Sequence, residues 1–178
     1  MLTYIIIAIV AIVVVFVIIV ATRPADFRVT RTDTISAPAE AVFAQVNDFH
    51  KWAAWSPWEK LDPELKRIFE GPSAGPGAIY RWAGNNKVGE GRMTILESHP
   101  RDVIRIKLEF LRPFKATNTA EFTFKPQGNQ TAVTWSMHGK LNFMSKAFHM
   151  FVDFDKIVGG DFEKGLASLK SMAEAAGR

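Results

Sequence analysis

Gly160-Asp161-Phe162-Glu163-Lys164-Gly165-Leu166-Ala167-Ser168-Leu169-Lys170-Ser171-Met172-Ala173-Glu174-Ala175-Ala176 is the stretch against which the rest of the chain can be read. Phe162, Leu166, Leu169 and Met172/Ala173 recur at steps of three or four, so on a helix they form one apolar stripe. Glu163, Lys164, Lys170 and Glu174 fall mostly off that stripe. Asp161 is placed to cap the start, and Gly177 to end the helix. A lone amphipathic helix of this length is marginal in water, so its stripe must lie on other structure. The preceding chain supplies short strands with one apolar face each. A sheet wrapped around this one helix is the expected organisation.

Working back from it, Gly159-Gly160 separates the helix from a Phe-rich segment, Leu141 to Val158. Phe143, Met144, Ala147, Phe148, Phe151, Phe154 and Val158 suit one helical face. Three readings stay open: a core helix, a lid over a cavity mouth, or a face resting in a membrane interface. The residues of the lid reading are Phe148, Phe151 and Phe154.

Further back the period changes from helical to alternating. Val103 to Leu111 places Ile104, Ile106, Leu108 and Phe110 on one face, with Arg105, Lys107 and Glu109 on the other. It is the clearest strand of the chain. Thr117 to Phe124 sets Asn118, Ala120, Phe122 and Phe124 together; Thr131 to Gly139 does the same with Val133, Trp135 and Met137. Ala78 to Ala83, a turn at Gly84-Asn85-Asn86 and Lys87 to Ser98 read as a hairpin. Leu65 to Phe69 and Phe27 to Ile35 complete a long antiparallel set. Between these last two, Pro38 opens a helix with Ala41, Val42, Val46 and Phe49 on its apolar side. Ser56-Pro57-Trp58-Glu59 has the form of a capping box, in which Glu59 acts as a cap rather than an acid or base.

The N-terminus is of another kind. Tyr4 to Ala21 contains no charge, Gly or Pro. At about 1.5 Å per residue its eighteen residues reach roughly 27 Å, close to the hydrocarbon thickness of a bilayer. A secretory signal would show a basic start, a shorter apolar core and a clear small-x-small site. A retained single-pass anchor over residues 1–22 is the expected reading, with a linker over 23–26 and the domain over 27–176. Arg23, Arg28 and Arg31 follow the span, which puts the soluble part in the cytoplasm of a bacterial inner-membrane protein. The absence of Cys fits a reducing compartment. A net charge of +4 without a Lys/Arg block gives nucleic-acid binding no support.

Ile35-Ser36-Ala37-Pro38-Ala39-Glu40-Ala41-Val42-Phe43, Trp52-Ala53-Ala54-Trp55-Ser56-Pro57-Trp58-Glu59, Gly84-Asn85 through Gly89-Glu90-Gly91-Arg92-Met93 and Asp161 to Leu166 stand in an order of strand, helices, six strands and long helix. In these words and this order the chain resembles the START-like, helix-grip (SRPBCC) superfamily, and within it bacterial proteins labelled polyketide cyclase/dehydrase. The resemblance covers Phe27 to Ala176. It implies an α+β helix-grip fold of the START/Bet v 1 kind, with about seven curved antiparallel strands around the C-terminal helix. It also implies an apolar cavity, since relatives include lipid carriers, quinone-binding proteins, aromatic cyclases and co-chaperone-like ATPase activators.

All five Trp lie beyond the anchor, and Trp and Tyr combine bulk with a polar edge for orienting a ligand. The expected cavity lining is Trp55, Trp58, Tyr80, Trp82, Met93, Ile106, Leu108, Phe110, Asn118, Phe122, Trp135, Met137, Phe162 and Leu166. Asn118 is its best polar candidate. Gly89 and Gly91 leave room either for ligand or for close helix packing. His50, His99, His138 and His149 stand singly, and no His-x-x-x-His pairing suggests a metal. No Gly-x-Ser-x-Gly elbow or thiol offers a nucleophile. No catalytic constellation and no cofactor are expected. The first functional expectation is membrane-tethered binding, or transfer, of a hydrophobic small molecule such as a lipid, quinone or aromatic metabolite. The alternatives are a cyclase/dehydrase-type enzyme that folds a flexible polyketone, and an interaction module that stimulates a partner ATPase. The protein partner is unspecified.

Overall fold

Alternation of apolar and polar residues in the middle of the chain becomes a single sheet. The computed structural model describes residues 1–176. Its strands are β1 (Asp26–Ile35), β2 (Lys66–Glu70), β3 (Ile79–Ala83), β4 (Glu90–His99), β5 (Val103–Arg112), β6 (Ala116–Gln127) and β7 (Gln130–Lys140). The helices are α1 (Leu2–Thr22), α2 (Ala39–Val46), α3 (Trp52–Trp55), α4 (Phe143–His149) and α5 (Phe154–Ala176). The sheet order is β1-β7-β6-β5-β4-β3-β2, antiparallel throughout. The first strand therefore lies beside the last, with Val29 opposite Met137 and Ile35 opposite Thr131. Because side chains alternate across a strand, Val29, Ile104, Ile106, Phe122, Phe124, Val133 and Trp135 all bury on one face. The other face carries ion pairs: Arg92 and Lys107 with Glu109, and Arg105 with Glu97 and Glu121.

Helix α5 lies on the buried face with Phe162, Leu166, Leu169 and Ala173 turned inward. Each such Phe or Leu removed from water contributes about 1.5–3 kcal/mol. The helix advances along β1 step by step. Phe154 meets Phe27 edge to face at 5.3 Å, Arg31 binds Asp155 and Glu163, Lys170 reaches Asp33, and Glu174 accepts the Ser36 N–H.

Three expectations about this region are corrected. First, α5 starts at Phe154, so Gly159-Gly160 lies inside it and separates nothing. The reason is a tertiary contact: a Cβ on Gly159 would overlap the Arg31 guanidinium. The missing side chain lets the guanidinium lie on the helix surface between Asp155 and Glu163, at 2.9 and 2.7 Å. Asp161 is thus an interior residue rather than a cap. The expected stop at Gly177 lies outside the described residues.

Second, Leu141 to Val158 is not one helix. It divides into α4, capped by Asn142 Oδ1 accepting the Ser145 N–H at 2.8 Å, and the first turn of α5. Met150–Asp153 form an elbow between them. No residue of α4 is buried, so the core-helix reading fails for this part. Third, Ser56 makes no side-chain cap on the 3-10 turn Pro57–Lys60, although the turn itself forms. Glu59 points into the protein and finds other partners, described below.

Helices α2 and α3 close the far end of the grip. The Trp52 and Trp55 Nε1 groups donate to the carbonyls of Val46 and Gln45, at 2.9 and 3.2 Å, which ties α3 to α2.

Candidate functional site

Trp135, in the middle of β7, is the hub of an aromatic stack. Phe162 from α5 lies against it with centroids 4.2 Å apart and planes 7° from parallel; Phe122 from β6 stacks at 4.7 Å. Trp52, Trp55 and Trp58 meet it edge-on. Edge-to-face and offset arrangements of this kind add about 0.5–1.5 kcal/mol per pair beyond area burial. Gly165 is part of the fit, since a Cβ there would stand 2.7 Å from Trp135 Cζ3. Yet the Trp135 Nε1–H is buried with no hydrogen-bond partner. An unpaired buried donor costs about 1–3 kcal/mol.

None of the residues expected to line a cavity lines either groove described below, and apart from Tyr80 and Asn118 they fall into two groups. Trp55, Phe122, Trp135, Phe162 and Leu166 meet in this stack, nearly inaccessible to solvent, with Ile106, Met93 and Met137 also buried. Trp58, Trp82, Leu108 and Phe110 are partly buried at the edges. Neither reading of the Gly91 space holds: the Trp82 ring fills it, with Cζ2 2.3 Å from where a Cβ would be. Gly89 has φ +65° in the turn before β4, a backbone that favours glycine. Asn118 points inward and is buried, its Nδ2 donating weakly to Met137 Sδ at 3.9 Å. The amide leans on Gly139, as does the Phe27 ring.

Tyr80 belongs to a different cluster. Its hydroxyl donates to Glu59 Oε1 at 2.5 Å, and Arg67 Nε donates to Glu59 Oε2 at 2.6 Å. Burial, and then the Glu59 carboxylate, push the Tyr80 phenol far above its ordinary value; Glu59 likewise holds the Arg67 guanidinium up. A phenol held neutral beside a carboxylate whose two oxygens are both occupied is poorly placed to exchange protons. The cluster fastens the Pro57–Lys60 turn to β2 and β3. The signal for it in the sequence was misleading, because a carboxylate three residues after Ser56 satisfies the capping-box pattern in either orientation.

An open space lies at the base of the domain. It is a groove of about 530 Å³ between the start of β1 (Phe27, Arg28, Val29) and the elbow (His149 to Asp155). Phe151 and Phe154, two residues of the lid reading, line it. Phe27, Val29, His149 and Met150 were not anticipated. The β1 alternation marks Phe27 and Val29 as inward-facing, but the elbow that completes the wall has no sequence signature. His149 stacks on Phe154 at 4.5 Å and meets Phe27 at 6.0 Å. Burial pushes its imidazole below the ordinary value. Asp155 is held below the usual carboxylate range by Arg31. A second groove, of about 260 Å³, lies between Phe49-His50 and the β2–β3 edge. Among the described residues no group of three or more His, Asp or Glu side chains is placed to hold a metal ion.

Beside the groove stands α1, 21 residues long and apolar enough to cross a membrane by length and composition. Its Phe16 stacks on Phe151 with centroids 6.5 Å apart, and Lys146 Nζ donates to the Ala21 carbonyl.

A seven-stranded antiparallel sheet gripping a long C-terminal helix, with an aromatic interior and a groove at one end of the helix, defines a START-like, helix-grip protein. Residues 26–174 match the family described as polyketide cyclase / dehydrase and lipid transport, and the chain belongs to that family. Solved structures agree in fold. The Zhui aromatase/cyclase from Streptomyces sp. R1128 is 17% identical with a TM-score of 0.63, covering 86% of this chain and 96% of that one. The Aha1 dimer from Colwellia psychrerythraea is 16% identical with a TM-score of 0.60 over 83% and 96%. Major latex-like protein 151 from Panax ginseng is 12% identical with a TM-score of 0.61 over 84% and 99%. At these identities the likeness speaks for the fold alone. Among curated proteins no sequence match is found.

Proposed function

We propose that this protein is a membrane-tethered module that binds a hydrophobic small molecule and exchanges it with the adjacent bilayer. The observation that carries the reading is the position of the groove: its elbow wall touches α1 through Phe151 and Phe16. Only residues 23–25 separate α1 from β1, a reach of at most roughly 10 Å. A ligand stored in the bilayer is then held at high effective concentration beside the groove. The groove's Phe walls suit an apolar body. Arg28, His149, Asp153 and Asp155 in the same lining suit a polar end. Arg23, Arg28 and Arg31 favour a cytoplasmic domain, and a reporter fused after Arg178 is expected to read cytoplasmic.

The test is mass spectrometry of organics extracted from the full chain purified from membranes, beside the variant Met150→Trp, which narrows the groove. The native protein should carry a defined apolar compound, and the variant should lose most of it. Repeated recovery of empty protein, with Trp fluorescence unmoved across a lipid and quinone panel, would overturn the reading.

A further inference from the structure

We infer that the α4 elbow is a second membrane-embedded element, seated in the acyl chains of the bilayer that α1 crosses. This rests on the reading of α1 as a retained span. Along an α-helix each residue rises about 1.5 Å, so Phe16, six residues before Thr22, lies roughly 9 Å below the domain end of α1. Phe151 stacks on Phe16. If the ring of Phe16 is in hydrocarbon, the ring of Phe151 is at the same depth. Interfacial helices bury their apolar faces about 5–10 Å, which is the depth this ruler gives.

The exposed surface of the segment fits that occupant. Met144, Phe148 and Phe151 are 74, 57 and 77% exposed, while aromatic residues elsewhere in the domain are mostly packed away. Lys146, the one basic residue on α4 besides His149, folds back so that its ammonium reaches the Ala21 carbonyl at the end of α1. A lysine beside an inserted apolar face places its charge at headgroup level in this way. Arg23, Arg28 and Lys140 lie at the same end of the sheet, because β1 starts and β7 ends there. They supply positive charge toward an anionic leaflet. The Phe151 side of the groove then faces acyl chains, while Arg28, Asp153 and Asp155 keep the rest of its lining polar.

The chain has no cysteine, so single-cysteine variants can report depth without background. Phe151→Cys, Phe148→Cys, Val14→Cys and Asn129→Cys, each spin-labelled, would be placed as full chain in vesicles of phosphatidylcholine and phosphatidylglycerol. Collision with oxygen, which concentrates in hydrocarbon, is compared with collision with a water-soluble nickel chelate. Positions 151 and 148 should favour oxygen as position 14 does, with the ratio reversed at position 129 on the far β6–β7 turn. A water-like ratio at 151 and 148 with a lipid-like ratio at 14 would overturn the embedded elbow and leave the tether standing. A water-like ratio at 14 would overturn both. Phe148 and Phe151 are exposed, so these substitutions leave the fold intact.

Discussion

The interior of α5 and the elbow before it use the same kind of side chain in opposite ways. In its middle, Phe162 is sealed against Trp135 and is 2% exposed. Just before its start, Phe151 is 77% exposed and stacks on Phe16 of α1. Hydrophobicity alone does not separate them. What separates them is the company the topology supplies: β7 brings Trp135 and the Pro57–Lys60 turn brings Trp58 against Phe162, whereas the elbow lies beyond the end of the sheet. The difference teaches that a helix-grip core can be complete while a second aromatic group stays outside it.

The contrast can be broken by substitution. Phe162→Ala should cost about 3–5 kcal/mol, because the ring's contacts cannot be replaced by collapse in so dense a stack. Urea denaturation of the full chain in nanodiscs would read it, and a loss below about 1 kcal/mol would mean that the stack is loosely packed. Glu59→Gln should cost about 1–3 kcal/mol, since it removes the charge that two buried or half-buried donors share. The coupling should appear in a double-mutant cycle with Arg67→Met and vanish if each acts alone.

At the groove end the expected effects are smaller. The His149 imidazole is held below its ordinary value by burial, so the folded state disfavours its proton. The unfolded chain takes that proton up near pH 6.5. The stabilising contribution is therefore present above this pH and is lost as the pH falls through it toward the folded value. Asp153, Asp155 and Arg28 line the same groove, so the measurement compares the pH dependence of unfolding with that of His149→Gln, which should be flatter below about pH 6.5. Equal slopes would place the titration elsewhere. Last, Phe151→Ala should leave the domain's unfolding free energy within about 0.5 kcal/mol. A larger loss would make the elbow part of the core after all and erase the contrast.

Most of the framework was legible in the sequence because it depends on short-range periodicity. Ile104, Ile106 and Phe122 alternate and are buried where alternation places them; Phe162, Leu166 and Leu169 follow the helical step and face the sheet. What could not be read depends on partners far along the chain. Gly159 looks like a helix breaker until Arg31, more than a hundred residues earlier, is known to occupy its missing side chain. Glu59 looks like a cap until Tyr80 and Arg67 claim both its oxygens. The Gly91 space looks vacant until Trp82 is seen across the β3–β4 pair. The groove was illegible for the same reason: its two walls, Phe27 and His149, come from opposite ends of the domain sequence.

The Arg31 clasp has a mechanical consequence. Asp155, Gly159 and Glu163 stand one helical turn apart, so the guanidinium sits in a notch with a carboxylate on either side. Sliding α5 along β1 by one turn, about 5.4 Å, would drive the side chain of Asp155 or Glu163 into the place at Gly159 that the Arg31 guanidinium occupies. The arrangement works as a detent that fixes the helix lengthwise. The elbow at Met150–Asp153 thus joins an α5 fixed along β1 to an α4 that rests on α1.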